Sequence, residues 1–147
     1  MTMRRLPLAL AVAAGVAAAG CGASSTDGAS ASGVEQTVRT ALGYLAAGDG
    51  RGFCSLATRA ERARLATEFA ARSCSEAIHA VGSGLTPVHR AALRHADVTT
   101  VTISGATATV KAADITTTSG SMKGFLSGDG RPTTLVRRAG GRWIIGG

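Results

Sequence analysis

Aromatic residues are scarce in this 147-residue sequence, which has three Phe, one Tyr and one Trp. Proteins that bind single-stranded nucleic acid stack bases on aromatic rings beside clustered Arg and Lys, whereas the basic residues here do not alternate with aromatics. The formal net charge is still +7, from 16 Lys and Arg against 9 Asp and Glu. The sequence therefore predicts a mildly basic surface and argues against nucleic acid as a partner.

The chain also lacks an apolar run long enough to cross a membrane as a helix. Its first apolar run, Leu6–Ala19, is shorter than the roughly 20 residues that a spanning helix needs. The run follows the basic pair Arg4 and Arg5 and precedes small residues, which is the pattern of a secretory signal peptide. Residues 1–20 are predicted to be a cleaved signal peptide, and its removal would leave a net charge of +5.

Cys21 follows this apolar run directly. The segment Ala18–Cys21 resembles the lipobox of bacterial lipoproteins, although Ala18 stands where Leu, Val or Ile is commoner. That resemblance implies that diacylglycerol alkylates the Cys21 thiol, that signal peptidase II cuts before it, and that the acylated chain is held at the extracellular face of the membrane. The alternative is ordinary secretion with cleavage after Ala19, since Ala17–Ala19 fits the small-x-small rule.

The residues after Cys21 are almost all small or polar. From Gly22 to Gly33 the chain holds only Gly, Ala, Ser and Thr besides Asp27. Such a composition buries little surface and stays flexible. Residues 21–33 are therefore predicted to form a lipid-anchored linker, and residues 34–147 to form one domain.

Cysteine is rare, with three in the chain, and an exported protein with three leaves one unpaired. Lipidation of Cys21 would remove the odd one and leave Cys54 and Cys74 as a disulfide pair. A metal site and a catalytic thiol are the alternatives for this pair. Neither cysteine has a partner at C-x-x-C spacing, and two thiolates without further ligands make a poor zinc site.

Helix starts are marked by Ser or Thr followed three residues later by Glu, the capping-box pattern. It occurs at Ser32 with Glu35, Thr58 with Glu61, and Ser73 with Glu76. The predicted helices are 34–47 closed by Gly48, a short turn at 53–57, a longer helix from Thr58, one from Ser73 to Val81 closed by Gly82, and a short turn started by Thr86 and Pro87. The helix after Thr58 carries an Arg64, Glu68 and Arg72 ladder, interpreted as a solvated face, with an anion site as the alternative.

Apolar residues alternate in the second half of the chain, which predicts strands. One hairpin is predicted from 101–103 and 106–112 around Gly105, with a bulge near Thr99 because Val98 is out of phase with Val101. Another is predicted from 135–139 and 142–145 around Gly140 and Gly141, and residues 122–126 are a further candidate strand. Helices followed by an antiparallel meander predict an α+β domain with helices packed on one face of a curved sheet.

The order of these elements resembles the nuclear transport factor 2-like, or cystatin-like, cone. The stretches "AAGDGRGFCSLATRAERARL", "SCSEAI", "VTISGATATV" and "LVRRAGGRWIIGG" resemble small secreted lipoproteins of high-GC Gram-positive bacteria that use that fold. The likeness covers about residues 34–145, and its motifs specify a fold more than a function. It implies that sheet faces could pair into a homodimer, and that relatives include isomerases and cyclases with an Asp base or an Asp and His pair in the cone.

The acidic and histidine residues are therefore candidate catalysts. Asp49 lies in a Gly-Asp-Gly turn, where Asp is common for backbone reasons. The other candidates are predicted to lie at strand boundaries or on the surface: Asp97, Asp114, His79, His89 and His95. Trp143 is predicted to pack in the core in phase with Ile145, with Ile144 facing the other way. The chain contains no nucleophile elbow, phosphate loop or metal motif.

These observations predict a membrane-anchored extracellular module that binds an envelope protein or a small ligand, with no catalytic residues, metal or cofactor. Two alternatives stay open. A small enzyme or lipophilic-ligand carrier would use the interior of the cone. Docking on anionic envelope polymers would use the arginine-rich helix after Thr58.

Overall fold

The computed structural model describes residues 30–117, 120–121 and 132–146. The predicted signal peptide, Cys21 with most of the linker, and the candidate strand at 122–126 lie outside these residues. The described helices are α1 Ala31–Ala47, α2 Gly50–Ser55, α3 Arg59–Glu68, α4 Cys74–Gly84 and α5 Pro87–Arg94. The strands are β1 Asp97–Val98, β2 Thr102–Ser104, β3 Thr107–Val110, β4 Ile115–Thr117, β5 Gly120–Ser121, β6 Thr133–Arg137 and β7 Trp143–Ile145, with a 3₁₀ turn at Ala112–Asp114 before β4.

Helix α1 buries the apolar stripe that its sequence spacing predicts. The buried side chains include those at positions 34, 38, 41, 42 and 45. The helix ends at Gly48 in the left-handed conformation, with φ of 67°, which confirms the predicted C-cap. Its start differs, because the extended N-cap residue is Ser30, whose carbonyl accepts from the N–H groups of Gly33 and Val34. The predicted cap at Ser32 is therefore wrong, and the predicted linker overlaps α1 by three residues.

Helix α2 begins at Gly50 after the cap residue Asp49 and ends at Ser55, so the short turn predicted at 53–57 is misplaced. The other three helix starts agree with prediction. Each N-cap side-chain oxygen accepts a hydrogen bond from the backbone N–H three residues later. The pairs of cap and donor are Thr58 with Glu61, Ser73 with Glu76, and Thr86 with His89. Neither glutamate completes a capping box with its own N-cap, since Glu61 binds Arg64 and Glu76 binds Arg72. Helix α5 is a full eight residues, longer than the short turn predicted from Thr86 and Pro87.

Helix α4 does not end at Gly82, as predicted, but continues to Gly84. Gly82 is a contact point between helices: a Cβ built on it would lie 2.5 Å from the Gly48 Cα and 2.8 Å from the Leu45 carbonyl oxygen. Both neighbours are backbone atoms at the end of α1, which cannot move aside without shifting the helix. The glycine at 82 therefore permits the close approach of α4 to α1 and does not mark a helix end.

This contact predicts opposite results for the same substitution at two helical glycines. Gly43→Ala, in the middle of α1 with open space around it, should raise the free energy of unfolding by up to about 1 kcal/mol, the difference in helix propensity. Gly82→Ala should lower it by about 1–3 kcal/mol, because overpacking against backbone outweighs the propensity gain. Urea denaturation of both variants tests this, and a stabilising Gly82→Ala would contradict the close contact.

The described strands form two antiparallel sheets, in the orders β2-β3-β6-β7 and β1-β4-β5. The bulge predicted near Thr99 is wrong: Val98 pairs with Ile115 in one sheet, and Thr102 pairs with Thr109 in the other. The Thr99 N–H and hydroxyl both donate to the Asp114 carbonyl, at 2.8 and 3.0 Å. The loss of phase between Val98 and Val101 thus reflects a change of sheet.

Both predicted hairpins are present. The β2–β3 hairpin turns at Gly105, where φ is 59°, and Ser104 pairs with Thr107. The β6–β7 hairpin pairs Arg137 with Trp143 and turns at Gly140 and Gly141, where φ is 90° and 84°. Positive φ at these turn positions is the reason that glycine occupies them.

The outer edge of β7 is joined to the helical half of the chain. Ile145 donates its N–H to the Leu56 carbonyl at 2.7 Å and accepts from the Thr58 N–H at 2.8 Å, as a parallel bridge to Ala57. The three-residue segment between α2 and α3 therefore acts as an additional backbone partner for the four-stranded sheet. This pairing removes one exposed sheet edge.

The core lies between the helices and the sheets and is apolar. Its largest fully buried side chains are Trp143, Leu93, Ile115, Leu135, Val34 and Val110. Trp143 and Ile145 belong to the main cluster, as predicted, whereas Ile144 lies outside it and is still only 4% exposed. The domain is thus α+β, as predicted, with N-terminal helices and antiparallel strands in an arrangement compatible with a nuclear transport factor 2-like cone.

Candidate functional site

Cys54 and Cys74 lie at disulfide distance, with their Cα atoms 6.2 Å apart and a sequence separation of 20. Both side chains are buried, at 8% and 6% exposure. The chain reverses between α3 and α4, where Ala70 has a positive φ of 48° and Ser73 caps the next helix. This reversal, predicted from the Ser73 cap, returns Cys74 to α2 and connects α2 with α4.

A shallow surface depression lies beside this cysteine pair, at the start of α4. Its lining consists of Arg72, Ser73, Ser75, Glu76 and His79. The Arg72 side chain binds Glu76, at 3.1 Å from Nε to Oε2, and the Arg72 backbone N–H donates to the same carboxylate at 3.0 Å. His79 Nδ1 lies 3.2 Å from the Gly48 carbonyl oxygen. The arginine and the glutamate neutralise each other, so the depression presents no net charge from this pair.

The hydrogen bonds from Arg72 lower the pKa of the Glu76 carboxyl and raise that of the guanidinium. A carboxyl whose pKa falls on folding stabilises the fold above its unfolded pKa, and this contribution is lost as the pH falls through the folded value. Arg72→Ala should therefore return the Glu76 pKa towards its ordinary value and destabilise the protein slightly at neutral pH. This effect should fade as the pH falls from the usual Glu pKa of about 4.3 through the lower folded value.

An NMR pH titration of the Glu76 carboxyl carbon measures this effect. Arg59→Ala is the matched control, because Arg59 is exposed at the start of α3 and forms no ion pair with the described carboxylates. Equal Glu76 pKa values in the wild type and in Arg72→Ala would show that the pair does not form in solution.

The candidate catalytic residues are exposed except Asp114, which is half-buried at the end of the 3₁₀ turn before β4. Asp49 caps α2, its Oδ1 accepting from the Gly52 N–H at 2.9 Å. Asp97 is exposed and pairs with Arg39 at 2.9 Å. The histidines at 79, 89 and 95 are all exposed, on or beside α4 and α5. Within the described ranges, no group of three or more His, Cys, Asp and Glu residues is placed to hold a metal ion.

Some arginines of the helical region form ion pairs with nearby carboxylates. Arg64 binds both Glu61 and Glu68, which confirms the i, i+4 contact expected between Arg64 and Glu68. The ladder does not continue to Arg72, because α3 ends at Glu68 and Arg72 pairs with Glu76 instead. This arrangement agrees with the interpretation of the helix as a solvated, self-compensated face.

A second group of arginines was not recognised in the sequence. Arg137, Arg138 and Arg142 flank the glycine pair of the β6–β7 hairpin, and all three are exposed. None forms an ion pair with a carboxylate among the residues described. The stretch "RRAGGR" indicates this group in the sequence, because a two-glycine hairpin turn brings the residues on its two sides together.

The chain matches no protein-family model, and no curated protein or solved structure is significantly similar to it. Among the described residues, no helix is both long and apolar enough to cross a membrane. The resemblance to nuclear transport factor 2-like lipoproteins therefore remains a prediction that depends on the stretches quoted above.

Proposed function

We propose that this protein is an exported lipoprotein, held at the extracellular face of the membrane by an acylated Cys21, and that its α+β domain is a binding or interaction module without catalytic activity. The pairing of Cys54 with Cys74 is the observation that carries this proposal. Disulfides persist outside the cytosol, and two buried cysteines at bonding distance fit an oxidising compartment. Cys21, within its lipobox-like segment, is then the one cysteine left for acylation.

The distribution of polar groups supports a binding role over an enzymatic one. A cone-fold enzyme needs an Asp or His directed into its interior. The histidines lie on the surface, Asp49 caps a helix, and the interior is filled by side chains such as Trp143 and Leu135. Of the two open alternatives, the enzyme or carrier would need an interior cavity, whereas the described depression lies outside the core at α4.

Fractionation of cells that express the wild type and Cys21→Ala tests the anchor. The wild type should sediment with membranes and be released only by detergent, whereas Cys21→Ala should appear in the soluble or culture fraction. Cys54→Ala is the matched control, since it removes a cysteine without removing the acylation site. Equal membrane retention of Cys21→Ala and wild type would contradict lipid anchoring.

A further inference from the structure

The β6–β7 hairpin carries three exposed arginines that form no ion pair with a carboxylate among the described residues. We call the segment Arg137–Arg142 the arginine turn. Its backbone is fixed by hydrogen bonds from the Arg138 N–H to the Arg142 carbonyl, at 2.9 Å, and from the Gly141 N–H to the Arg138 carbonyl, at 3.0 Å. Three exposed arginines lie within six residues and have no ion pair to a described carboxylate. Arg137 pairs with Trp143 and so belongs to the opposite face of the hairpin from Arg138, and the positive charge therefore surrounds the end of the hairpin.

Four of the other arginines have local partners. Ion pairs link Arg39 to Asp97, Arg64 to Glu61 and Glu68, and Arg72 to Glu76. Arg90 donates to the Gly82 carbonyl at 3.2 Å. Arg51, Arg59, Arg62 and Arg94 are also exposed and form no ion pair with a described carboxylate, but they are spread over α2, α3 and α5. The arginine turn differs in carrying three such residues within six positions.

The arginine turn lies towards the end of the domain at which α1 begins. Thr37 Oγ1, less than two helical turns from that start, lies 3.4 Å from the carbonyl oxygen of Trp143, the first residue after the turn. Farther along β7, Ile145 pairs with the end of α2. Helix α2 runs back along α1, since a Cβ at Gly52 would lie 2.6 Å from the Tyr44 ring. β7 thus proceeds away from the start of α1, and the turn that precedes it faces that start.

The sequence between the proposed anchor and the domain is short. Ser30 lies nine positions after Cys21, and a Gly- and Ser-rich chain of that length has a root-mean-square span of about 17 Å when it is flexible. Electrostatic attraction at physiological salt acts over about 8 Å. A domain tethered at this distance therefore reaches the anchoring surface repeatedly, with the arginine turn on the side nearest to it.

We propose that the arginine turn seats the domain on anionic phospholipid headgroups of the membrane that holds its N-terminal anchor. The inference rests on the proposed lipid anchor for its location, but the contact itself needs only the turn. Each arginine close to an anionic membrane surface strengthens binding about fivefold, so three together give roughly a hundredfold. Guanidinium groups suit this role because they bind phosphate oxygens with paired N–H donors.

The test uses the full chain with Cys21→Ala, recovered from whichever host fraction it accumulates in, so that no acyl chain contributes to binding. Co-sedimentation is measured with vesicles of equimolar phosphatidylglycerol and phosphatidylcholine, and with vesicles of phosphatidylcholine alone. The test variant adds Arg137→Gln, Arg138→Gln and Arg142→Gln. The matched control adds Arg51→Gln, Arg62→Gln and Arg94→Gln, which remove the same charge from exposed positions on three separate helices.

The arginine-turn variant should bind anionic vesicles roughly a hundredfold more weakly than the Cys21→Ala chain, while the scattered-arginine control should lose much less. Equal losses in the two triple variants, or equal binding to both kinds of vesicle, would overturn the proposal. Release from vesicles by soluble poly(glycerol phosphate) at equal phosphate concentration would also overturn it, in favour of a polymer ligand. Because the assay lacks the acyl chain, its outcome is separate from the fractionation test of the anchor.

Discussion

Replacement of both Cys54 and Cys74 by alanine is expected to lower the free energy of unfolding by about 3 kcal/mol. The disulfide would close a loop with a sequence separation of 20, and its removal restores conformational freedom to the unfolded chain. For a domain of this size the corresponding fall in melting temperature is about 10–20 °C.

Urea denaturation and thermal melts of the double variant measure this effect. Cys21→Ala is the control, because it removes a cysteine outside the domain and should leave stability unchanged. The wild type treated with dithiothreitol should behave like the double variant. If reduction leaves the melting temperature of the exported wild type unchanged, the two thiols are not joined, and the oxidising-compartment argument loses its basis.

Trp143→Ala is expected to be at least as destabilising, by about 3–5 kcal/mol. Trp143 is the largest of the fully buried side chains, at 1% exposure, and it belongs to the main apolar cluster. Its removal leaves a cavity between α1 and the four-stranded sheet that this well-packed region cannot fully close. Trp143→Phe retains an aromatic ring in the same space and should cost clearly less.

Val88→Ala is the matched control for the tryptophan. Val88 is 70% exposed on α5, so its truncation should change stability by no more than about 0.5 kcal/mol. Chemical denaturation monitored by circular dichroism measures all three variants, since the fluorescence of the single tryptophan is lost in two of them. A cost for Trp143→Ala no larger than that for Val88→Ala would show that β7 is not part of the core.

Local signals in the sequence predicted most of the element boundaries. The caps at Thr58, Ser73 and Thr86 depend on one side chain and the N–H three residues on, so they can be recognised without the fold. The glycines at the hairpin turns are equally local, because the backbone conformation itself requires them. The α+β class followed from these elements taken in order.

Predictions failed where the role of a residue depends on a contact with a residue distant in sequence. Gly82 resembles a helix end in sequence, but its role is the contact with Gly48, more than thirty residues away. Val98 suggested a bulge because its pairing with Ile115, in a separate sheet, leaves no local pattern. The cap predicted at Ser32 failed because the helix begins two residues earlier, after Ser30, whose extended backbone forms the N-cap without a side-chain cap hydrogen bond.

The site was less predictable than the fold. The pairing of Cys54 with Cys74 followed from counting cysteines and from the reversal at Ser73, both visible in the sequence. The arginine turn is harder to recognise because its importance depends on ion pairing: Arg64 and Arg72 are paired with nearby glutamates, and the arginines of the hairpin have no such partner among the described carboxylates. Ion pairing of this kind is a property of the folded surface.

The intact mass of the protein recovered from the membrane fraction tests the central claim most directly. Export and lipid anchoring predict a chain that begins at Cys21, carries a diacylglyceryl group on that residue, and has a mass two hydrogens below that of the reduced form because Cys54 and Cys74 are joined. A chain that keeps residues 1–20, with all three thiols free and no acyl group, would contradict the account.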